Sequence, residues 1–144
     1  MIELSQLDDH LKTLKNTDWA ILFDLLDEMN PGQYFSELTP SKRLRNGTIT
    51  FPYHDSAEII HKFLQVVHSL KIIPSFDWPE WTEGKRILNN KTQNFEELDI
   101  NTLCKLLTVA IRADRFNDGF LISCFERGAI QKIVAALKDK IRPE

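Results

Sequence analysis

The sequence predicts an all-α fold: a single-domain bundle of six or seven helices spanning residues 1–144. Three observations carry that expectation. Apolar residues recur at steps of three and four through most of the chain, the period of a helix face and not of a strand. Residues that start and stop helices punctuate those runs at short intervals. At 144 residues, 42% hydrophobic and 27% charged, the chain can close one core without disulfides or a structural metal.

Leu4, Leu7, Leu11 and Leu14 place one leucine stripe on a first helix. Asn16 or Thr17 offers a capping oxygen for a second, whose face carries Trp19, Leu22, Phe23, Leu26 and Met29 before Asn30-Pro31-Gly32 stops it. Two short amphipathic helices with almost no linker imply an antiparallel pair. Residues 30–54 then change character, holding three of the six prolines and two of the five glycines. The segment reads as irregular. Within it Asn46-Gly47 favours a turn, and Thr48-Ile49-Thr50-Phe51 alternates polar and apolar, as half of a short hairpin would.

Asp55 with Glu58 matches a capping box for a third helix. Its Ile59, Ile60, Phe63, Leu64, Val66, Val67 and Leu70 cover an arc wide enough for a central, mostly buried position. After Pro74, Asp77 with Glu80 repeats the capping pattern, and Pro79 is tolerated in a first turn, so a fourth helix is expected from about Trp78 to about Leu88. Asp99 caps a fifth, bearing Leu103, Leu106, Leu107, Ala110 and Ile111. Phe116, Phe120 and Cys124 continue at four-residue steps on a sixth. Gly128 fits its C-terminal cap, and Ile130, Ile133, Val134 and Leu137 line a last helix.

A net charge of −3 gives no basic field, so nucleic acid is not the expected partner. Cys104 and Cys124 lie in the apolar C-terminal third and read as small buried hydrophobes, with no framework of paired cysteines. The N-terminal residues carry no basic stretch followed by an apolar core, and no run approaches the roughly 18 apolar residues that span a bilayer. A soluble, reduced, cytoplasmic protein is the expectation, with no membrane association.

His54, His61 and His68 recur every seven residues, a separation of about 10 Å on a helix and too long for a shared metal. His10 stands alone. No metal and no cofactor is expected. Gly-rich phosphate loops, Gly-x-Ser-x-Gly, His-Glu-x-x-His and a Cys with a His partner are all missing.

Three constellations remain. Asp114, within Arg112-Ala113-Asp114-Arg115-Phe116, falls on the apolar stripe of the fifth helix, where a bare carboxylate is costly. It either ends that helix and caps the next, or pairs with Arg112 or Arg115; alternatively these residues form an anionic-ligand site. Trp78 and Trp81, with Phe76, either anchor a packed helix start or offer a ligand platform. Lys42, Arg43 and Arg45 make a basic loop, solvated or phosphate-gripping.

The order Phe51-Pro52-Tyr53, Ile73-x-x-Phe76-Asp77-Trp78-x-x-Trp81-x-x-Gly84, Arg112-x-Asp114-Arg115-Phe116-x-x-Gly119 and Phe125-Glu126-x-Gly128-x-Ile130 resembles a family of small prokaryotic proteins classed as a domain of unknown function. The resemblance runs from about residue 47 to the C-terminus and leaves the first two helices out. It implies one helical domain and a prokaryotic source, and implies no activity. The preferred reading is a noncatalytic protein-binding or regulatory module with an unidentified protein partner, self-association being left open. The alternative is a small-ligand binder or enzyme using Arg112, Asp114 and Arg115 beside Trp78 and Trp81.

Overall fold

The structure is a computed structural model that describes residues 2–29, 35–39, 47, 53–90 and 92–141. Among these the fold is all-α. It has seven α-helices: α1 (Leu4–Thr13), α2 (Asn16–Asp24), α3 (Glu58–Leu70), α4 (Thr82–Asn89), α5 (Ile100–Ala113), α6 (Phe120–Glu126) and α7 (Ala129–Ile141). Short 3-10 turns occupy Leu25–Glu28, Trp78–Glu80 and Phe95–Glu97. No described helix is long and apolar enough to cross a membrane.

α5 occupies the middle of the core. Leu103, Cys104, Leu106, Leu107, Thr108, Val109, Ala110 and Ala113 are all buried, so the helix is apolar around most of its circumference, as a surrounded helix must be. It packs against α4, α6 and α7. Its buried polar residue, Thr108, donates its hydroxyl to the Cys104 carbonyl one turn back at 2.9 Å, which removes the penalty of an unpaired buried group. Asp99 caps it as expected, with Oδ1 accepting from the Thr102 amide at 2.7 Å. α3 buries Ile59, Ile60, Phe63, Val67 and Leu70, and α7 buries Ile130, Ile133, Val134 and Leu137. The α7 face matches the one read from the sequence; on α3, Leu64 and Val66 are only partly buried and one side is exposed, so α5 and not α3 takes the central position.

Between α2 and α3 lies a two-stranded antiparallel ribbon, β1 (Ser36–Thr39) and β2 (Tyr53–Ser56), with Ser36 opposite Ser56 and Thr39 opposite Tyr53. These strands are not the Thr48–Phe51 piece expected in a hairpin around Asn46-Gly47; those four residues, Asn46 and the basic Lys42, Arg43 and Arg45 lie outside the described residues. Phe35 ties the ribbon to the core. Its side chain is buried, its ring sits 5.2 Å from that of Phe125, and its carbonyl accepts from the Ala57 amide at 2.9 Å. Phe125 in turn meets Phe63 edge-on at 5.3 Å, a favourable aromatic geometry.

Several local expectations are corrected. Asp55 belongs to β2, so α3 starts at Glu58 after Ala57 with no side-chain cap. Lys15, not Asn16 or Thr17, precedes α2, and Asp18 Oδ2 accepts from the Lys15 amide at 2.8 Å. The fourth helix begins only at Thr82, because Trp78-Pro79-Glu80 forms a 3-10 turn and Asp77 makes no side-chain capping bond. α2 packs chiefly on α3 and α7 instead of pairing with α1. The bonds holding α1 run elsewhere: Leu4 N to the Ser75 carbonyl (3.1 Å), His10 Nε2 to the Leu70 carbonyl (2.7 Å), and Asn101 Nδ2 to Asp8 Oδ1 (2.9 Å). Phe116 is not on α6. Gly119 adopts φ +86 just before that helix, a left-handed conformation that breaks the four-residue stripe and leaves Phe116 in the preceding turn, 82% exposed.

Candidate functional site

Two short segments bring the sequence-selected residues to one face. The first is the Trp78–Glu80 turn leading into α4, which packs on both α4 and α5. Trp78 lies in this turn and Trp81 just after it, and both are partly buried and pack against the outside of the core. Trp81 rests on Gly84, where a Cβ would come within 2.6 Å of the ring, so glycine at this helical position permits the close approach. Phe76 meets Trp81 edge-on with centroids 6.0 Å apart.

The second segment is the end of α5 and the turn beyond it. Asp114 follows the last helical residue, and its Oδ1 accepts from the Leu121 amide at 3.1 Å. Leu121 is the second residue of α6, one of the amides that a helix start leaves without an internal partner. Asp114 thus ends one helix and caps the next. Phe116, two residues on, places its ring 6.0 Å from that of Trp78. The structure therefore brings Trp78 beside the Arg-x-Asp-Arg-Phe turn, while Trp81 sits further along α5.

Two lysines complete this face. Lys105 Nζ stands 4.1 Å from the Trp81 ring centroid and 5.4 Å from that of Phe76, and Lys85 Nζ is 6.0 Å from that of Trp78. These are cation–π contacts, the closest of them well inside the usual range. Arg112 and Arg115 lie on the same stretch of chain. Partial burial, and then the neighbouring Arg115, pull the Arg112 guanidinium below its usual value. Burial, and then Arg112, do the same to the His68 imidazole on α3. Like charges are thus gathered here. Neither lysine was singled out by motif. The available signal was spacing: Lys105 and Arg112 are seven residues apart on α5 and so share a face.

Surface depressions of about 560, 330 and 550 Å³ are not lined by Trp78, Trp81, Arg112, Asp114 or Arg115, although the third adjoins the same turn at Asn117 and Asp118. The first runs beside Leu11, Lys12, Asp99 and Lys140, and the other two flank Arg127. Arg127 is itself engaged, donating through Nη1 to the Leu88 carbonyl at 3.0 Å and through Nη2 to Cys124 Sγ at 3.5 Å. Burial pushes the Cys104 thiol up to about 12 and the Cys124 thiol up to about 11, so neither is a thiolate near neutral pH. Among the described residues no group of His, Cys, Asp and Glu could hold a metal ion.

Comparison with curated proteins and with solved structures finds no match. A family model does match, over residues 14–143, and so takes in α2 and the ribbon as well as the part of the chain after residue 47 to which the resemblance in the sequence was confined. That coverage identifies the chain as belonging to the family of unknown function DUF6508.

Proposed function

We propose that the chain is a noncatalytic module, a single helical domain that binds another protein through the face formed by Trp78, Trp81 and Phe116. One observation carries this reading: Phe116 is 82% exposed and lies against Trp78, which is only partly buried. Aromatic rings are enriched where proteins meet, and one held in solvent beside a second is a ready anchor for a partner. A loop residue with no packing role in its own core also gives the fold no reason of its own to carry a phenyl group there. The small-ligand alternative has less support, because the Asp114 carboxylate already accepts from the Leu121 amide and none of Arg112, Asp114 and Arg115 lines the larger depressions, although one of these adjoins the same turn at Asn117 and Asp118. A cytoplasmic setting belongs to this proposal, since two buried free thiols suit a reducing compartment, and so does the prokaryotic source that the resemblance implies.

Site-specific crosslinking tests it. A photoreactive phenylalanine analogue at position 116 is expected to capture a defined protein in native cells, whereas the same analogue at exposed Lys132 does not. The Trp78→Ser variant should reduce capture from position 116. Identical products from both positions, or none from 116, would refute the reading.

A further inference from the structure

We infer that the partner presents a short acidic segment carrying one apolar anchor residue, which seats on Phe116 and Trp78 while its carboxylates meet Lys85, Lys105 and Arg115. This inference rests on the protein-binding reading above and adds the chemistry of the partner to it.

The apolar half of the argument is the Trp78–Phe116 pair, which leaves one phenyl ring largely in water. The charged half is the set of cations along the same stretch, one over Trp78 itself and the others further along α5 and in the turn. Lys85 reaches over Trp78, Lys105 over Trp81 and Phe76, and Arg115 directly precedes Phe116. Lys62–Glu28 and Arg86–Glu83 form ion pairs, whereas Lys85, Lys105 and Arg115 have no carboxylate within 4.0 Å among the described residues. The acids of the neighbourhood are otherwise placed. Asp114 caps α6, Asp118 lines the depression beside Arg127, and Asp99 caps α5 within the field of Lys105. Asp77 and Glu80 flank Trp78 in sequence, are exposed, and do not pair with these cations. Arg112 adds a further positive charge close to Arg115.

Such a face is complementary to carboxylates flanking an apolar side chain. A nucleic-acid strand is also anionic and stacks on aromatic rings. The net charge of −3 disfavours it, because a long polyanion meets the field of the whole chain, whereas a short segment meets mainly the local one.

The test uses a library of random dodecapeptides selected on the immobilised full chain, with binders then synthesised and titrated. Selected peptides should carry Asp or Glu around a Trp, Phe or Leu. Their affinity should fall at least about tenfold in the triple variant Lys85→Gln, Lys105→Gln, Arg115→Gln, and by a similar factor from 50 to 500 mM NaCl. It should also be lost in Phe116→Ser, whose circular dichroism should match wild type because the ring is outside the core. Peptides without acidic residues that still require Phe116 would overturn the acidic chemistry and leave the protein-binding reading standing. Binders indifferent to Phe116→Ser, or no enrichment at all, would overturn both. A fluorescent 20-mer of thymidylate that binds as tightly as the peptides, and loses affinity in the same variants, would overturn the inference in favour of nucleic acid.

Discussion

Replacing Asp114 by Ala removes the acceptor of the Leu121 amide and leaves the start of α6 without its one described side-chain cap. The magnitude follows from the geometry. The bond is 3.1 Å long and partly buried, it joins an ionised carboxylate to a backbone N–H, and it closes a helix of seven residues. Loss of a capping side chain typically costs about 0.5–2 kcal/mol, and hydrogen bonds to charged groups contribute about 1.5–3. A value of about 1–2 kcal/mol is expected, below the ~3–5 of a broken buried ion pair, because the group keeps some contact with water. For a chain of this size that is a fall in Tm of roughly 3–7 °C. Asp114→Asn retains an acceptor oxygen and loses the charge beside the helix N-terminus, so its loss should be about 0.5 kcal/mol. Urea unfolding followed by circular dichroism, with an unchanged slope, gives the two values. Amide exchange at Leu121 adds the local check, since this proton should exchange faster in Asp114→Ala and much less so in Asp114→Asn. Wild-type stability together with unchanged exchange at Leu121 would refute the capping account. An equal loss of several kcal/mol in both variants would show that charge pairing, not capping, is the role of Asp114.

Gly84→Ala should destabilise the protein even though alanine favours a helix by ~1 kcal/mol, because its Cβ would stand 2.6 Å from the Trp81 ring; a net loss of about 1–2 kcal/mol and a red-shifted tryptophan emission are expected, and a more stable variant with unshifted emission would contradict the close contact. His68 should make the fold weaken in mild acid: its folded pKa lies below the usual 6.5, so the unfolded chain takes up the proton first, and its contribution is present above about pH 6.5 and lost as pH falls from there through the lower folded pKa. Urea midpoints at pH 8 and pH 5.5 should therefore drop less in His68→Gln than in wild type, and an identical drop would exclude this imidazole as a source of the pH dependence.

The parts of the fold legible in the sequence were those fixed by local pattern. The broad arcs of α3, α5 and α7 each present enough apolar residues that only one burial satisfies them, and Asp99 caps α5 through a bond to an amide three residues on, which local spacing encodes. Failures came where a long-range partner overrode a local motif. Asp55 and Glu58 have capping-box spacing, but pairing with β1 draws Asp55 into a strand. The step from Phe116 to Phe120 is helical in spacing, but the left-handed Gly119 lies between them. In the candidate site, Trp78, Trp81 and the Arg112–Arg115 turn were visible as unusual residues. That Trp78 and Phe116 would meet, and that Lys85 and Lys105 would cover the rings, depends on how α4 lies along α5, which no local spacing encodes.

The way α1 is attached sets an order of assembly. Its His10 bonds to a carbonyl 60 residues further along the chain, and its Asp8 to an amide 93 residues away. Contacts this distant close only after the intervening chain has been ordered, whereas helix formation and neighbouring-helix docking are local and fast. On the ribosome α1 therefore emerges before its partners and has to wait, with neither Leu70 nor Asn101 yet synthesised. It offers one fully buried side chain, Leu7, to hold it in the finished structure. A segment that joins last through few buried contacts is also among the first to open, so the N-terminal helix is where exchange and proteolysis of the native protein should begin.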